Sequence, residues 1–248
     1  MSLAYRSTAV PAVLIEPTHR RIRLLHGETV LADSERAIVV YENDGHPVYY
    51  LPAGDFRPGV LTPGERTEAS ERLGERRYHD VLGVGAAKAW SHDGAAIGLP
   101  DLAGYVTVEW SAARWFEEDE EIFRHPRNVY RRVDTIASSR LVEGFVAGQL
   151  VARTRRAIFL FETGHRTRYY FRREDVIAGS LVPSELHTYC PYKGEASYFH
   201  WEIDDRRYDN IVWFYPEPLP ESSRIAGLVA FYEEKIEAIR VSASEPRP

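Results

Sequence analysis

The chain has 248 residues, of which 44% are hydrophobic and 27% are charged, and its formal net charge is −6. This length suits one large domain or two smaller ones. The negative charge argues against a general nucleic-acid or anionic-membrane binder, because such proteins need a basic surface. The single cysteine excludes intramolecular disulfides and a structural zinc site built wholly from cysteines.

The N-terminal segment, residues 1–21, lacks the charged head and the apolar core of a signal peptide. No window approaches the roughly 18 apolar residues of a membrane span, and the histidines form no His-x-x-x-His pair. We therefore expect a cytoplasmic protein that has no membrane or nucleic-acid partner, no cofactor and no bound metal.

An internal repeat organises the chain. ADSERAIVVYE starts at Ala32 and ARTRRAIFLFE at Ala152, a displacement of 120 positions, and the same displacement aligns SERLGERRY with CPYKGEASY. After a three-residue change in length, Trp90 aligns with Trp213. A repeat that keeps its register this long indicates a duplication. We predict two homologous compact β domains, unit one at residues 20–124 and unit two at 139–241, with residues 125–138 as a packed connector.

In unit one, short apolar runs of period two alternate with Gly, Asp, Asn and Pro, a pattern typical of β-strands joined by turns. One α-helix is predicted, over residues 111–123, and it would close the unit. Ser111 would be its N-cap, acidic residues would lie in its body, and Trp115, Phe116, Ile122 and Phe123 would share an apolar face.

In unit two, the clearest strand is SYFHWEI, residues 197–203. Phe199, Trp201 and Ile203 alternate along it, so they should face the core together. Residues 204–207 are predicted as its hairpin turn and residues 209–215 as the partner strand. The segment PEPLPE that follows is predicted as an extended loop, and the C-terminal SASEPRP as a frayed tail.

Four segments of unit two carry a family resemblance: YYFRREDV, CPYKGEASYFHW, NIVWFYPEPLPE and IAGLVAFYEEKIE. With these, unit two resembles the DUF427 family, whose function is unknown. Unit one, ending in WFEEDEEIFRHPRNVYRRVD, resembles the degenerate first half of tandem members. The resemblance covers residues 22–241. It implies compact β domains similar to the β-tent of the methionine sulfoxide reductase group, without the zinc-binding cysteines of that group.

The resemblance also brings a weaker alternative, because the family is sometimes described as nucleotidyltransferase-like. Such enzymes need a Gly-Ser turn followed closely by paired aspartates that hold magnesium ions. Here Gly179 and Ser180 are followed only by Asp204 and Asp205, which fall in the predicted hairpin turn. The sequence therefore does not favour this activity.

Three chemically active residues are found in unit two and not at the aligned positions of unit one: Cys190, Lys193 and His200. A lysine beside a thiol favours the nucleophilic thiolate, and His200 could act as a general base if the strand start folded back over Cys190. These three are the candidates for catalysis. The alternative is a packed cysteine beside a solvated turn lysine.

Charge also separates the two units. Residues 152–173 carry seven arginines and one glutamate, whereas the aligned residues 32–53 carry one arginine and four acids. Guanidinium groups bind phosphate and carboxylate bidentately, so unit two could hold an anion site that uses Arg156, Arg168 and Lys193. The alternative is a basic face that docks on unit one or is simply solvated.

We therefore expect unit two to bind a small anionic or polar metabolite, and leave open whether it transforms it. The predicted ligand-binding residues are Arg156, Glu162, Tyr170, Lys193, Glu195, Tyr198 and Trp213. This choice rests on aromatic and charged side chains that converge on one region, as in many small-molecule pockets. The alternative function is a protein–protein interaction module without catalysis.

Overall fold

The structure is a computed structural model that describes residues 13–42, 45–70, 72–93 and 102–242. The chain is mainly β, as predicted, and divides into two compact units, residues 1–128 and 129–248. From here on, unit one means residues 1–128 and unit two means residues 129–248. The narrower domain limits expected from the repeat stay a prediction. Within the described ranges, no helix has the length and apolar character needed to cross a membrane.

Unit one is built from two antiparallel sheets. Its strands are β1 (Val13–Pro17), β2 (Ile22–His26), β3 (Thr29–Ser34), β4 (Ile38–Glu42), β5 (Val48–Pro52), β6 (Leu61–Ser70), β7 (Gly74–Val81), β8 (Gly85–Asp93), β9 (Tyr105–Val108), β10 (Arg114–Glu117) and β11 (Glu120–Ile122). One sheet has the order β1-β4-β5-β9-β8-β7-β6 and the other β11-β10-β2-β3. Because side chains alternate along a strand, Val39 of β4 packs in the main core, while Val40 joins a second cluster on the opposite face of the larger sheet.

Unit two repeats this arrangement. Its strands are β12 (Val133–Ala137), β13 (Val142–Val146), β14 (Gln149–Thr154), β15 (Ile158–Glu162), β16 (Arg168–Tyr170), β17 (Ser180–Cys190), β18 (Gly194–Ile203), β19 (Arg206–Phe214), β20 (Val229–Phe231) and β21 (Ala238–Val241). They form the sheets β12-β15-β16, β17-β18-β19-β20 and β14-β13-β21. A β-bridge between Phe171 and Val229 joins the first two sheets, which then match the larger sheet of unit one strand for strand.

Smaller features of the backbone repeat as well. Ala32 bridges Phe56 in unit one, and Ala152 bridges Val176 in unit two. Each of these pairs is displaced by the 120 positions read from the sequence. The duplication is therefore present in the strand pairing and not only in residue identities.

The helix predicted over residues 111–123 is wrong. Trp110–Ala112 form a single 3-10 turn, and β10 and β11 then form a hairpin whose first strand also pairs with β2. Trp115 is 2% exposed in the core and stacks on Trp110 at 5.1 Å, while Glu118 takes a positive φ of 52° in the hairpin turn. Pairing with the distant strand β2 overrides the local helix propensity of the acidic run.

The strand predicted over residues 197–203 is confirmed as part of β18. Phe199 and Trp201 are buried in the core between the sheets, and Ile203 packs against that core. The opposite face of β18 is also covered, because Tyr198 belongs to a second buried cluster. The hairpin turn consists of Asp204 and Asp205, both with positive φ.

Two segments predicted to be irregular contribute regular structure. Residues 133–137, within the expected connector, form β12 and pair with β15. The PEPLPE segment runs into a 3-10 helix, Pro220–Ile225, in which Ser222 and Ile225 are buried. All but the first residue of the predicted C-terminal tail lies outside the described residues.

Candidate functional site

A buried aromatic cluster covers one face of the β16-β20-β19-β18 region. Trp213 Nε1 donates a hydrogen bond to Tyr170 Oη at 3.1 Å, and the two rings meet edge to face. Burial raises the pKa of Tyr170 well above its ordinary value, so its phenol stays protonated. Unit one has the same contact, from Trp90 Nε1 to Tyr50 Oη at 3.1 Å. The presence of the pair in both units marks Tyr170 and Trp213 as parts of the shared core.

Tyr198 lies in the same cluster. Its hydroxyl is 2.8 Å from Thr188 Oγ1, and its ring stacks parallel to that of Tyr232. Burial, together with a hydrogen bond to Tyr198, raises the pKa of Tyr232 to about 12. The Tyr232 phenol is therefore protonated at neutral pH, and the two stacked rings contribute to the packing of the cluster.

Arg168, expected to bind an anion, is already paired. Its guanidinium donates to both carboxylate oxygens of Glu234, at 2.7 and 2.9 Å, and lies over the Trp213 ring at 5.6 Å. The hydrogen bonds from Arg168 lower the pKa of Glu234 to about 2. A bidentate pair of this kind leaves little positive charge for a ligand.

Glu162 and Lys193 come together at one end of β15. Lys193 Nζ lies 2.5 Å from Glu162 Oε2, and the two side chains are only 12% and 10% exposed. Arg131 Nη1 and His165 Nε2 each lie 3.6 Å from the other carboxylate oxygen of Glu162. Unit one has the buried Leu73 where unit two has Lys193. This group of four residues, called the Glu162 cluster below, therefore belongs to unit two alone.

An open pocket of about 290 Å³ adjoins the Glu162 cluster. It is lined by Arg132, Asp134, Phe161, Glu162, Thr163, His165 and Thr167. Arg132 and Asp134 pair with each other at 2.8 Å, so their charges cancel. Lys193 and Arg131 contact Glu162 from outside the pocket lining, and their two permanent charges against one carboxylate leave a positive surplus beside the pocket.

Like the aromatic residues Tyr170, Tyr198 and Trp213, the predicted ligand-binding residues Arg156 and Glu195 lie outside the Glu162 cluster. Arg156 pairs with Asp175 at 2.8 Å, and Arg36 pairs with Asp55 in the same way in unit one. That repeated pair is a feature of the fold. Glu195 is exposed and lies 3.2 Å from His187 Nδ1.

Cys190 and His200 are too far apart to react together. In the pairing of β17 with β18, Cys190 lies opposite Gly194, whereas His200 lies opposite Val182 near the other end of the hairpin. At the rise of an extended strand this separates them by about 20 Å. His200 Nδ1 instead lies 2.8 Å from Asp209. The role suggested for His200 as general base to Cys190 is therefore wrong.

Cys190 is half-buried, and Lys193 directs its ammonium to Glu162. We expect the pH profile of Cys190 alkylation to stay nearly unchanged in a Lys193→Met variant, because the lysine ammonium is bonded to Glu162 and not to the thiol. We also expect the native thiol to react more slowly than the thiol of the urea-unfolded chain. Alkylation rates with iodoacetamide across pH measure both. A profile that moved to higher pH in the variant would show that Lys193 activates the thiol.

The comparison with known families agrees with the two-unit fold. A family model described as a domain of unknown function (DUF427) matches residues 14–119 and, separately, 134–242. The chain belongs to this family. Each matched region lies in one unit, so the protein is a tandem DUF427 protein. No curated protein matches the chain.

The second DUF427 region contains the Gly-Ser and Asp-Asp pairs considered for nucleotidyl transfer. Ser180 and the two aspartates line an open pocket of about 410 Å³, with Arg206 and Arg207 beside them. The aspartates form the tight β18–β19 turn, and Asp204 accepts a hydrogen bond from Gln149. Within the described ranges, no group of three or more His, Cys, Asp or Glu side chains is placed to hold a metal ion. The hairpin turn accounts for the aspartates without metal chemistry.

Sequence reasoning missed two members of the Glu162 cluster. Arg131 lies in the stretch expected as a connector, and His165 lies in the loop between β15 and β16. Neither has a local signal of function. One signal was available: Arg131 lies in VYRRVD, a segment that belongs to the DUF427 resemblance and runs directly into β12.

Proposed function

We propose that the second DUF427 domain binds a small anionic metabolite in the pocket beside the Glu162 cluster. The observation that carries this is the charge around one nearly buried carboxylate. Glu162 is contacted by Lys193, Arg131 and His165 and can neutralise only one positive charge. A carboxylate or phosphate group of a ligand would compensate the surplus.

We propose binding rather than a reaction, because Cys190 and His200 do not meet. The alternative, a protein interaction module, would use the exposed basic strands of unit two and the PEPLPE loop. The backbone N–H of Leu219 donates to Lys193 O, and Ser222 just beyond it is buried. These contacts fix the segment beside Lys193. A cytoplasmic location remains part of the proposal.

The proposal is tested by native mass spectrometry of freshly purified protein for a retained ligand, followed by calorimetric titration with succinate and with inorganic phosphate. We expect at least one anion to bind saturably. A Lys193→Leu variant, which carries the residue of unit one, should bind it about tenfold more weakly or worse, since it removes one of the two permanent positive charges beside Glu162.

Arg153→Gln is the matched control, because it also removes one positive charge from unit two. Arg153 is half-exposed and lies near Glu143, away from the pocket. The affinity of the Arg153→Gln variant for the anion should equal that of the wild type. Failure of both anions to bind, or an equal loss in the Arg153 variant, would rule out the Glu162 cluster as the binding site.

A further inference from the structure

Besides Trp115 Nε1 in the main core, three buried polar atoms of unit one lack a hydrogen-bond partner in the part of the chain that the structure describes. They are Arg76 Nε, His92 Nδ1 and Thr107 Oγ1. Strand pairing places Arg76 opposite His92 and Thr107 opposite Trp90. Residues directly opposite in adjacent strands share a face, so all three lie on the same side of the larger sheet. This is the side that faces away from the main core.

The hydrogen bonds around His92 define the role of its free nitrogen. Trp90 Nε1 can only donate, and it donates to Tyr50 Oη at 3.1 Å. Tyr50 Oη also lies 3.1 Å from His92 Nε2, and in the state considered below the phenol donates its proton to that nitrogen. Burial and the charge of Arg76 lower the pKa of His92 to about 4, which keeps the ring neutral. The remaining ring proton is then on Nδ1, a buried donor without an acceptor.

Arg76 supplies a second donor and an uncompensated charge. Its guanidinium lies 5.2 Å from the Trp90 ring centroid and donates from Nη1 to Tyr78 Oη at 3.3 Å. Of the described carboxylates, none lies within ion-pair distance of Arg76. The nearby Glu68 accepts a hydrogen bond from Tyr78 at 2.7 Å and pairs with Arg66.

Unit two shows that the fold does not need these polar groups. In place of Arg76, His92 and Thr107 it has Ala196, Tyr215 and Ala230. Trp213 and Tyr170 keep their hydrogen bond there without any of the three. Buried donors without acceptors are destabilising and rare in folded proteins. Three of them on one face of unit one therefore indicate a partner group.

We propose that this face of unit one binds a small carboxylate, held by Arg76 Nε–H and His92 Nδ1–H, with the Thr107 hydroxyl as a further donor. A carboxylate has two accepting oxygens for the two N–H groups. Its single negative charge matches the one unpaired guanidinium, whereas a phosphate dianion would exceed it. The rings of Trp90 and Tyr78 flank the guanidinium and would shield the ion pair from water.

The test is an NMR titration of the full chain labelled with ¹⁵N-histidine. Sodium acetate is the probe, and sodium chloride at equal ionic strength is the reference. We expect the His92 Nδ1 resonance to shift saturably with acetate and not with chloride. Arg76→Ala, which introduces the residue of unit two, should weaken acetate binding by at least about tenfold, because a charged hydrogen bond is removed.

Arg77→Ala is the matched control, since Arg77 is the next residue on β7 and pairs with Asp93 at 2.6 Å. It should leave the acetate affinity measured at the His92 resonance unchanged. A wild-type resonance that acetate does not move, or that chloride moves equally, would mean that ordered water satisfies the donors and would overturn the proposal. An equal loss in the Arg77 variant would overturn it too. The wild-type titration decides the question even if Arg76→Ala does not fold.

Discussion

Replacement of Gly179 by alanine is expected to destabilise unit two by about 4 kcal/mol, or to prevent its folding. Gly179 has a φ of +73°, and an added Cβ would lie 2.5 Å from Trp201 Cζ2 and 2.7 Å from Glu202 O. Trp201 is fully buried, and Glu202 contributes its backbone to the β17–β18 ladder. Displacing the Trp201 ring or the Glu202 backbone would therefore disrupt the core or the strand pairing. Urea unfolding followed by circular dichroism measures the loss.

Gly59→Ala is the matched control, because Gly59 occupies the equivalent position of unit one. Its φ is +80°, but no atom lies within 4 Å of the added Cβ. Only the cost of the left-handed backbone applies there, about 1–2 kcal/mol. Equal losses in the two variants would show that contact with Trp201 is not the cause. This close approach also explains by packing why position 179 of the Gly-Ser dipeptide is a glycine.

Replacement of Glu162 by leucine is expected to cost about 3–5 kcal/mol of stability. The substitution leaves the ammonium of Lys193 and the guanidinium of Arg131 without their carboxylate, in a place where Lys193 is almost buried. Lys193→Leu should cost less, because Glu162 keeps its contact with Arg131. Urea unfolding of both single variants and of the double variant gives the coupling energy between the two residues.

The control for this pair is Glu42→Leu, at the equivalent position of unit one. Glu42 has no ion-pair partner among the residues that the structure describes, and a leucine, Leu73, stands where unit two has Lys193. We expect this change to alter stability by less than about 1 kcal/mol. If it were as costly as Glu162→Leu, the effect in unit two would come from the strand position and not from the ion pair.

Part of the candidate site could be predicted from sequence. Aligning the two units showed Lys193 to be specific to unit two and Glu162 to be shared, and the structure brings these two together. Arg131 and His165 were missed because they come from other segments of the chain, and no local sequence pattern shows that these segments meet Glu162. The proposed partnership of Cys190 with His200 was wrong. The two residues are close in sequence, but the pairing of β17 with β18 places them near opposite ends of the hairpin.

The sequence by itself determined the duplication, the β character and the core face of β18. Repeat register and side-chain alternation are properties of the order of residues alone, so Phe199 and Trp201 could be assigned to the core without coordinates. Only the tertiary structure decided that residues 111–123 form strands and not a helix. There β10 gains hydrogen bonds from β2 and buries Trp115, and these non-local contacts outweigh the small helix preference of the acidic run. The same holds for His92, because whether a polar atom finds a partner depends on which strands lie beside it, and distant parts of the chain set that arrangement.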